Sequence, residues 1–483
     1  MSVLSNLEPT EVWTIFEEIT KVPRPSKKEE KIMQYLLDFG AKYGLPTKRD
    51  EIGNVLISKA GTPGMEDKPI VVLQSHMDMV CEANSDVEID FDNDPITPYI
   101  DGEWVKAKGT TLGADDGIGM AAALAILASD KLEHGPIECL FTVDEETGLT
   151  GAFELQEGFF KGKILLNLDS EDEGEIFIGC AGGIDTLATF NYKTKKIPKK
   201  SSAYKVSVSG LKGGHSGDEI HKGLGNSNKI ITRFLLKLTE EYGIKLAKID
   251  GGNKRNAIPR EAYAEFTIKT KYIDELKKEF DCFSKTISKE LRIAEPDIKF
   301  KLEEIDLPDS VIKKSNQKKM LRALYACPHG VHAWSKAVDD LVETSTNLAS
   351  VKHVGTNQIL VVTSQRSSVD SGKHDIREMV ASVFKLAGAI VNHSDGYPGW
   401  EPNPDSEILK KSVASYERIF GKKPVVRAIH AGLECGLFLE KYPDLDMISF
   451  GPTLRAVHSP DEKIEIKTVK MWWDHLLDIL KHI

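Results

Sequence analysis

At 483 residues the chain is too long for one hydrophobic core, and at roughly 150 residues per domain it should form two or three. Its 41% apolar and 28% charged residues are ordinary globular values and exclude an extensively disordered or fibrous chain. A net charge of -11 argues against a nucleic-acid partner, because phosphate binding needs a concentrated basic face.

The first ten residues lack a basic segment followed by an apolar one, so no signal peptide is expected. No stretch approaches the ~18 apolar residues that span a bilayer, so no membrane association is expected. Six cysteines are scattered without C-x-x-C spacing, which fits reduced thiols in a cytoplasmic protein.

Ser26 and Glu29 have the S-x-x-E spacing of a capping box, and Ile32, Leu36, Phe39 and Tyr43 follow at helical intervals. The pattern predicts an amphipathic helix over 27–43, stopped at Gly44. Short apolar runs at 55–57, 70–73, 137–143, 164–168 and 176–178 predict strands, with a buried Ala-rich helix at 117–129. Strands that are apolar throughout and alternate with helices predict a mostly parallel central sheet covered on both faces.

From about Tyr204 the strands alternate with polar residues and the helices become longer and more charged. A strand, helix, strand, strand, helix, strand order over 205–302 predicts a ferredoxin-like α+β unit, and a looser set follows to about residue 390. Residues 394–404, rich in Gly and Pro, read as a linker. The α/β texture then returns with a helix at 407–420, strands at 425–429 and 447–450, and a closing helix at 466–483. The expected architecture is an α/β domain of residues 1–190 and 396–483, interrupted by an inserted α+β domain of residues 191–395.

The chemistry concentrates at strand ends. His76 and Asp78 form an H-x-D at the carboxyl end of an apolar strand, on one side of it by the strand period and where open α/β sheets place ligands. A strand-end histidine is often only structural. Asp115 and Asp116 open the Ala-rich helix; an N-cap explains one carboxylate but not two. Asp144, Glu145 and Glu146 end another strand, and Asp169 a third.

Carboxylates gathered at one rim repel unless something positive lies between them, and no Lys or Arg occurs within these motifs. Histidine and carboxylates without cysteine suit zinc, or manganese or cobalt, and a shared carboxylate would allow a metal pair. His458, in a His-Ser-Pro-Asp-Glu run, supplies a second imidazole.

Together these motifs resemble the co-catalytic zinc peptidases that include carnosinases, peptidase T and carboxypeptidase G, and among them the aminoacyl-histidine (Xaa-His) dipeptidases. The resemblance extends over nearly the whole chain. Its most specific pieces are GTTLGADDGIGM, CAGGID, GLKGGHSG, RNAIPREA, SSVDSGK, HAGLECGLF and HSPDE. It implies a zinc-peptidase-like catalytic domain with the inserted domain as a lid, two divalent ions (Zn2+, with Co2+ or Mn2+ as alternatives), dipeptide substrates and a homodimer.

Position by position, it implies that His76, Asp115 and Asp169 hold one ion, and that Asp115, Glu146 and His458 hold the other, with Asp115 bridging. Asp78 would orient His76 and Glu145 would be the general base. His215 would stabilise the oxyanion, Arg366 would clamp the substrate carboxylate, and Asn256 and His430 would contact substrate. Asp116 stands where the aminoacyl-histidine dipeptidases often carry Asn.

Two other readings compete. A deacylase acting on N-acyl amino acids would use the same cage and base. A non-catalytic binding protein would be free to lose Glu145 or a ligand, yet all are present.

Overall fold

The structure, a computed structural model, describes residues 3–483; Met1 and Ser2, which the expected first domain includes, lie outside the described residues. The chain forms two units, one of Met1–Cys180, Trp400–Ala428 and Leu433–Ile483, the other of Ala181–Gly399 and Ile429–Gly432. The expected boundary at 190/191 would cut the strand Gly182–Asn191 at its last residue; the whole strand belongs with the second unit, because it pairs along its length with Gln358–Ser367, and the boundary falls before it at Cys180/Ala181.

The first unit is built on an eight-stranded sheet in the order Thr47–Arg49, Val55–Lys59, Ile137–Thr142, Val71–His76, Ile164–Asn167, Asp446–Ser449, Glu175–Cys180, Val425–Ile429. Pairing is parallel through the four central strands and antiparallel where Val55–Lys59 and Glu175–Cys180 join them. The parallel character is therefore central rather than general. Every residue of Val71–His76 and Ile137–Thr142 is buried, as strands covered on both faces must be.

The Ala-rich helix spans Ala114–Ala128, and its small side chains admit close packing. A helix at Thr10–Ile19, which sequence reading did not assign, buries Val12, Trp13, Phe16 and Ile19 and packs against it. The next helix is Glu30–Lys42, but its start corrects the capping-box reading. Ser26 Oγ donates to Asp78 Oδ2 at 2.7 Å, and Glu29 Oε1 accepts from the N–H groups of Lys27 and Asp144. Both side chains are engaged in holding loops rather than in capping their own helix.

In the second unit the strands Ser201–Ser209, Lys245–Gly251, Ala262–Lys269 and Lys299–Ile305, with helices Ser227–Glu241 and Ile273–Glu290, follow the ferredoxin-like order. The looser set is not separate. Its strands Val342–Val354, Gln358–Ser367 and Ile390–His393 extend the same sheet to nine strands together with Gly182–Asn191 and Gly330–Trp334.

The Gly/Pro-rich 394–404 stretch also differs from a free linker, since Tyr397 bridges Gly183 and Trp400 bridges Cys180. A Cβ on Gly182 would meet Gly399 N at 2.5 Å, so this approach of two backbones requires glycine. Among the described residues no helix is long and apolar enough to cross a membrane, and all six cysteines are free.

Candidate metal centre and substrate-binding groups

The parallel strands of the first unit bring their carboxyl ends together, and five residues far apart in sequence meet there. His76 Nε2 lies 3.1 Å from Asp115 Oδ1 and 3.5 Å from Asp169 Oδ1. His458 Nε2 lies 3.2 Å from Asp115 Oδ2 and 3.0 Å from Glu146 Oε2. The two oxygens of Asp115 thus face different imidazoles. In each set of three, the donor atoms lie within 4.8 Å of one another.

Asp115 owes its direction to the irregular opening of its helix. Asp115 and Asp116 have non-helical backbone angles after Gly113 in the left-handed region. Asp116 Oδ1 accepts from Gly119 N at 3.1 Å, which is local capping. Asp115 is left to face the histidines, which answers why two carboxylates stand in a row. Asp144 is also structural, accepting from the hydroxyls of Thr147 and Thr150.

Asp78 Oδ1 lies 3.3 Å from His76 Nδ1, within ion-pair range although His76 Nδ1 lacks a well-aligned hydrogen bond. Asp78 also accepts from the backbone N–H groups of Glu145 and Glu146 at 3.0 and 3.3 Å, so it fixes the strand-end histidine and the two glutamates together. Burial works to raise its pKa, but His76, Ser26 and the Glu145 N–H win and lower it. Glu145 opens the short helix Glu145–Gly148 and has a carboxylate oxygen within 4.8 Å of donor atoms of His76 and Glu146.

The electrostatics call for positive charge. Burial alone would lower the His76 pKa, yet Asp169, Asp115 and Asp78 raise it well above the usual imidazole value. Hydrogen bonds to Asp115 and Glu146 likewise push His458 up to about 11. Burial raises Asp169 well above the carboxylate range, and neighbouring Asp115 and Asp116 add to it.

These residues fit a pair of divalent cations. Donors at 2.0–2.1 Å from a tetrahedral ion stand about 3.3 Å apart, and the imidazole–carboxylate separations here are 3.0–3.5 Å. Glu146 Oε1 is moreover buried without a hydrogen-bond partner, as a ligand oxygen would be.

Three further groups support the centre, and the roles of two of them, Arg24 and Glu462, escaped sequence reading. Arg24, 2% exposed, donates to the carbonyls of Met77, Asp78 and Gly113. Glu462 accepts from the backbone N–H groups of Leu112, Gly113, Ala114 and Asp115. Glu434 lies within the HAGLECGLF motif, and its Oε2 accepts from Gln74 Nε2 at 2.7 Å and Thr142 Oγ1 at 2.8 Å. Burial pushes Glu434 up to about 7. For Arg24 the available signal was its setting in Pro23-Arg24-Pro25, a lone cation in a stiff segment.

In the second unit, His215 and Asn256 are neighbours. Gly214–His215 pairs with Ala257–Ile258, and Ser216 N donates to the Asn256 carbonyl at 2.8 Å. Both line a concavity of about 1050 Å³.

His215 Nδ1 lies 3.1 Å from Asp218 Oδ2. His430 Nε2 is 2.7 Å from Ser345 Oγ, and burial together with the Arg366 charge pushes His430 down to about 3. Arg366 is 7% exposed. Its Nη1 donates to the Tyr397 hydroxyl at 2.9 Å, its Nε has no partner, and no carboxylate of a described residue lies within ion-pair distance of it. A buried guanidinium with donors to spare can receive an anion. Tyr397 and Ser345 were not legible as site residues, because each acts on a partner distant in sequence.

A parallel-centred α/β unit with paired imidazole–carboxylate groups, joined to a ferredoxin-like unit, defines a class of peptidase. The model of a family described as Peptidase family M20/M25/M40 matches residues 72–482, and the chain belongs to that family.

More particularly, it is 44% identical over 483 residues to the cytosol non-specific dipeptidase of Escherichia coli K12, covering 100% of this chain and 99% of that protein. The crystal structure of aminoacylhistidine dipeptidase from Vibrio alginolyticus superimposes with a TM-score of 0.93 at 48% identity, covering 100% and 98% of the two chains. A tripeptidase from Staphylococcus aureus, 16% identical with a TM-score of 0.57 over 99% and 98% of the chains, shares the fold.

Proposed function

We propose that the chain is a metal-dependent dipeptidase that hydrolyses Xaa-His and other dipeptides with a pair of zinc ions. The observation that carries this reading is Asp115, whose two oxygens stand 3.1 and 3.2 Å from the imidazoles of His76 and His458. His76, Asp115 and Asp169 would hold one ion, and Asp115, Glu146 and His458 the other. When bound, the pair supplies Lewis acidity, acidifying a water and polarising the scissile carbonyl.

The chain's own residues do the rest. Asp78 keeps the His76 ring oriented. Glu145 accepts a proton from the attacking water as the new C–O bond forms, then delivers it to the amine nitrogen as the C–N bond breaks. His215 donates to the oxyanion. Arg366 pairs with the substrate carboxylate through donors it does not spend within the protein, while Asn256 and His430 complete the substrate contacts. The inserted unit is then a lid carrying these groups.

The full-length similarity to two dipeptidases supports this over the deacylase reading. Turnover of dipeptides and of N-acetyl amino acids, measured side by side with and without a chelator, tests it. Faster, chelator-sensitive turnover of dipeptides is expected; faster turnover of the acetylated set would defeat it. A homodimer carries over from the same resemblance and is tested by sedimentation equilibrium. A cytoplasmic location is supported by the free thiols and the relative's cytosolic name.

A further inference from the structure

We infer that Glu462 is the positioning residue of the His458 half of the metal centre, setting how firmly that half holds its ion while the His76 half stands without it. This rests on the metal-pair reading above.

The two imidazoles are supported unequally. His76 is 1% exposed, ends a strand paired on both sides, and has Asp78 within 3.3 Å of its Nδ1. His458 lies on the loop 456–462, between the paired strands Leu454–Arg455 and Lys463–Glu465. Its side chain is 50% exposed, and its Nδ1 has no partner among the described residues. No carboxylate orients that ring as Asp78 orients His76, so its placement depends on the loop.

The loop is strained. Ala456 and His458 both have left-handed backbone angles, with φ of 55° and 61°, a conformation that non-glycine residues keep only when their surroundings enforce it. Within the loop the Ser459 hydroxyl donates to Ala456 O at 2.7 Å and Glu462 N to Ser459 O at 3.0 Å, and the loop is anchored to the rest of the unit through the Glu462 side chain, 2% exposed. Its Oε2 accepts from Leu112 N at 2.7 Å and Gly113 N at 3.0 Å, and its Oε1 from Ala114 N at 2.8 Å and Asp115 N at 3.3 Å. One carboxylate thus ties the loop that carries His458 to the turn that carries Asp115.

Arg24 grips the same turn through its carbonyls, donating to Gly113 O and also to Met77 O and Asp78 O. It therefore joins the His76 and Asp115 segments, and only Glu462 of the two reaches the His458 loop. Gly113 and Gly117 leave room for this grip, since a Cβ at either would meet Arg24 Nη2 at 2.6 or 2.7 Å. A carboxamide at 462 keeps the shape but turns an NH2 toward a row of N–H donors, so at least one bond becomes a clash of donors.

The test is zinc binding to the full-length protein, read by competition with a chromophoric chelator, alongside the visible spectrum of the cobalt-loaded form. Wild type should bind two ions. Glu462→Gln should keep one ion at wild-type affinity and bind the other about 10- to 100-fold more weakly, the usual effect of losing a partner behind a ligand. Its cobalt spectrum should match that of His458→Ala. Glu462→Asp, which keeps the charge but falls short of some of the N–H groups, should bind the second ion with intermediate affinity, so the inference remains testable if the Gln variant does not fold.

Equal weakening of both ions in the Asp variant, or in a folded Gln variant, would mark Glu462 as structural only and overturn the inference. So would two ions bound as tightly as in wild type. A wild-type protein that binds fewer than two ions would instead overturn the metal-pair reading, and this proposal with it.

Discussion

Replacing Glu145 with Gln separates the proton-transfer step from the metal cage. The Glu145 carboxylate makes no hydrogen bond or ion pair with another described residue; its backbone N–H alone is engaged, donating to Asp78 Oδ1 at 3.0 Å. Burial, reinforced by Asp169, Glu434 and Glu146 against the opposing charge of His76, pushes its pKa well above the usual carboxylate range. An isosteric amide therefore forfeits no ion pair within the protein, and folding stability should move by no more than ~1 kcal/mol.

Catalysis should suffer far more. A positioned general base contributes ~10²- to 10⁴-fold, or ~2.7–5.4 kcal/mol at 1.36 kcal/mol per decade. The assay is kcat on a dipeptide, with metal content measured on the same sample. We expect kcat to fall by that factor with two equivalents of metal retained. A kcat within about threefold of wild type would remove Glu145 from the mechanism.

Other perturbations follow from the same structure. Arg366→Lys should raise KM for dipeptides ~10- to 150-fold, the value of ~1.5–3 kcal/mol for a hydrogen bond to a charged group, and should alter KM for the matching dipeptide amides much less; equal effects on both would remove the clamp role. Gly182→Ala should destabilise the protein by ~1–3 kcal/mol, because its Cβ meets the Gly399 backbone at 2.5 Å, and an unchanged urea midpoint would contradict the close approach.

Acid stability provides a test away from the metal centre. Burial holds His475 down at about 4, and its Nε2–H donates to Ser412 O at 2.9 Å. Between pH 4 and about 6.5 the unfolded chain binds this proton and the folded one does not. His475 therefore favours folding above about pH 6.5, and that contribution declines by up to ~3 kcal/mol as pH falls to 4. His475→Gln should show a shallower loss of stability over that window in urea titrations; an identical slope would refute the assignment.

The strands that carry chemistry were legible because two properties coincide in them. Val71 to Leu73 is apolar without interruption and Ile137 to Val143 is broken only by Glu138 and Thr142, and histidine or acids stand at the ends of these strands, so burial and ligand placement are read from the same letters. The ferredoxin-like order of the second unit was legible from alternation. Sheet continuity was not, since Lys245–Gly251 meets Val342–Val354 at the single pair Gly251 and Val351, which no local pattern announces.

The capping box failed for a related reason. Ser26 and Glu29 have the right spacing, but tertiary partners at Asp78 and Asp144 outcompete the local cap. Arg24 and Glu462 stayed hidden because they bind backbone groups, and any sequence offers those. Metal ligands announce themselves by residue type, whereas the side chains that hold them in place are identified only by where they end.

Two ions flanking Asp115 are the core of the proposed mechanism. Anomalous diffraction at the zinc edge from crystals of the zinc-loaded protein should give two peaks, one among His76, Asp115 and Asp169 and the other among Asp115, Glu146 and His458. A single peak, or none, in crystals of protein that hydrolyses dipeptides at its full rate would contradict it.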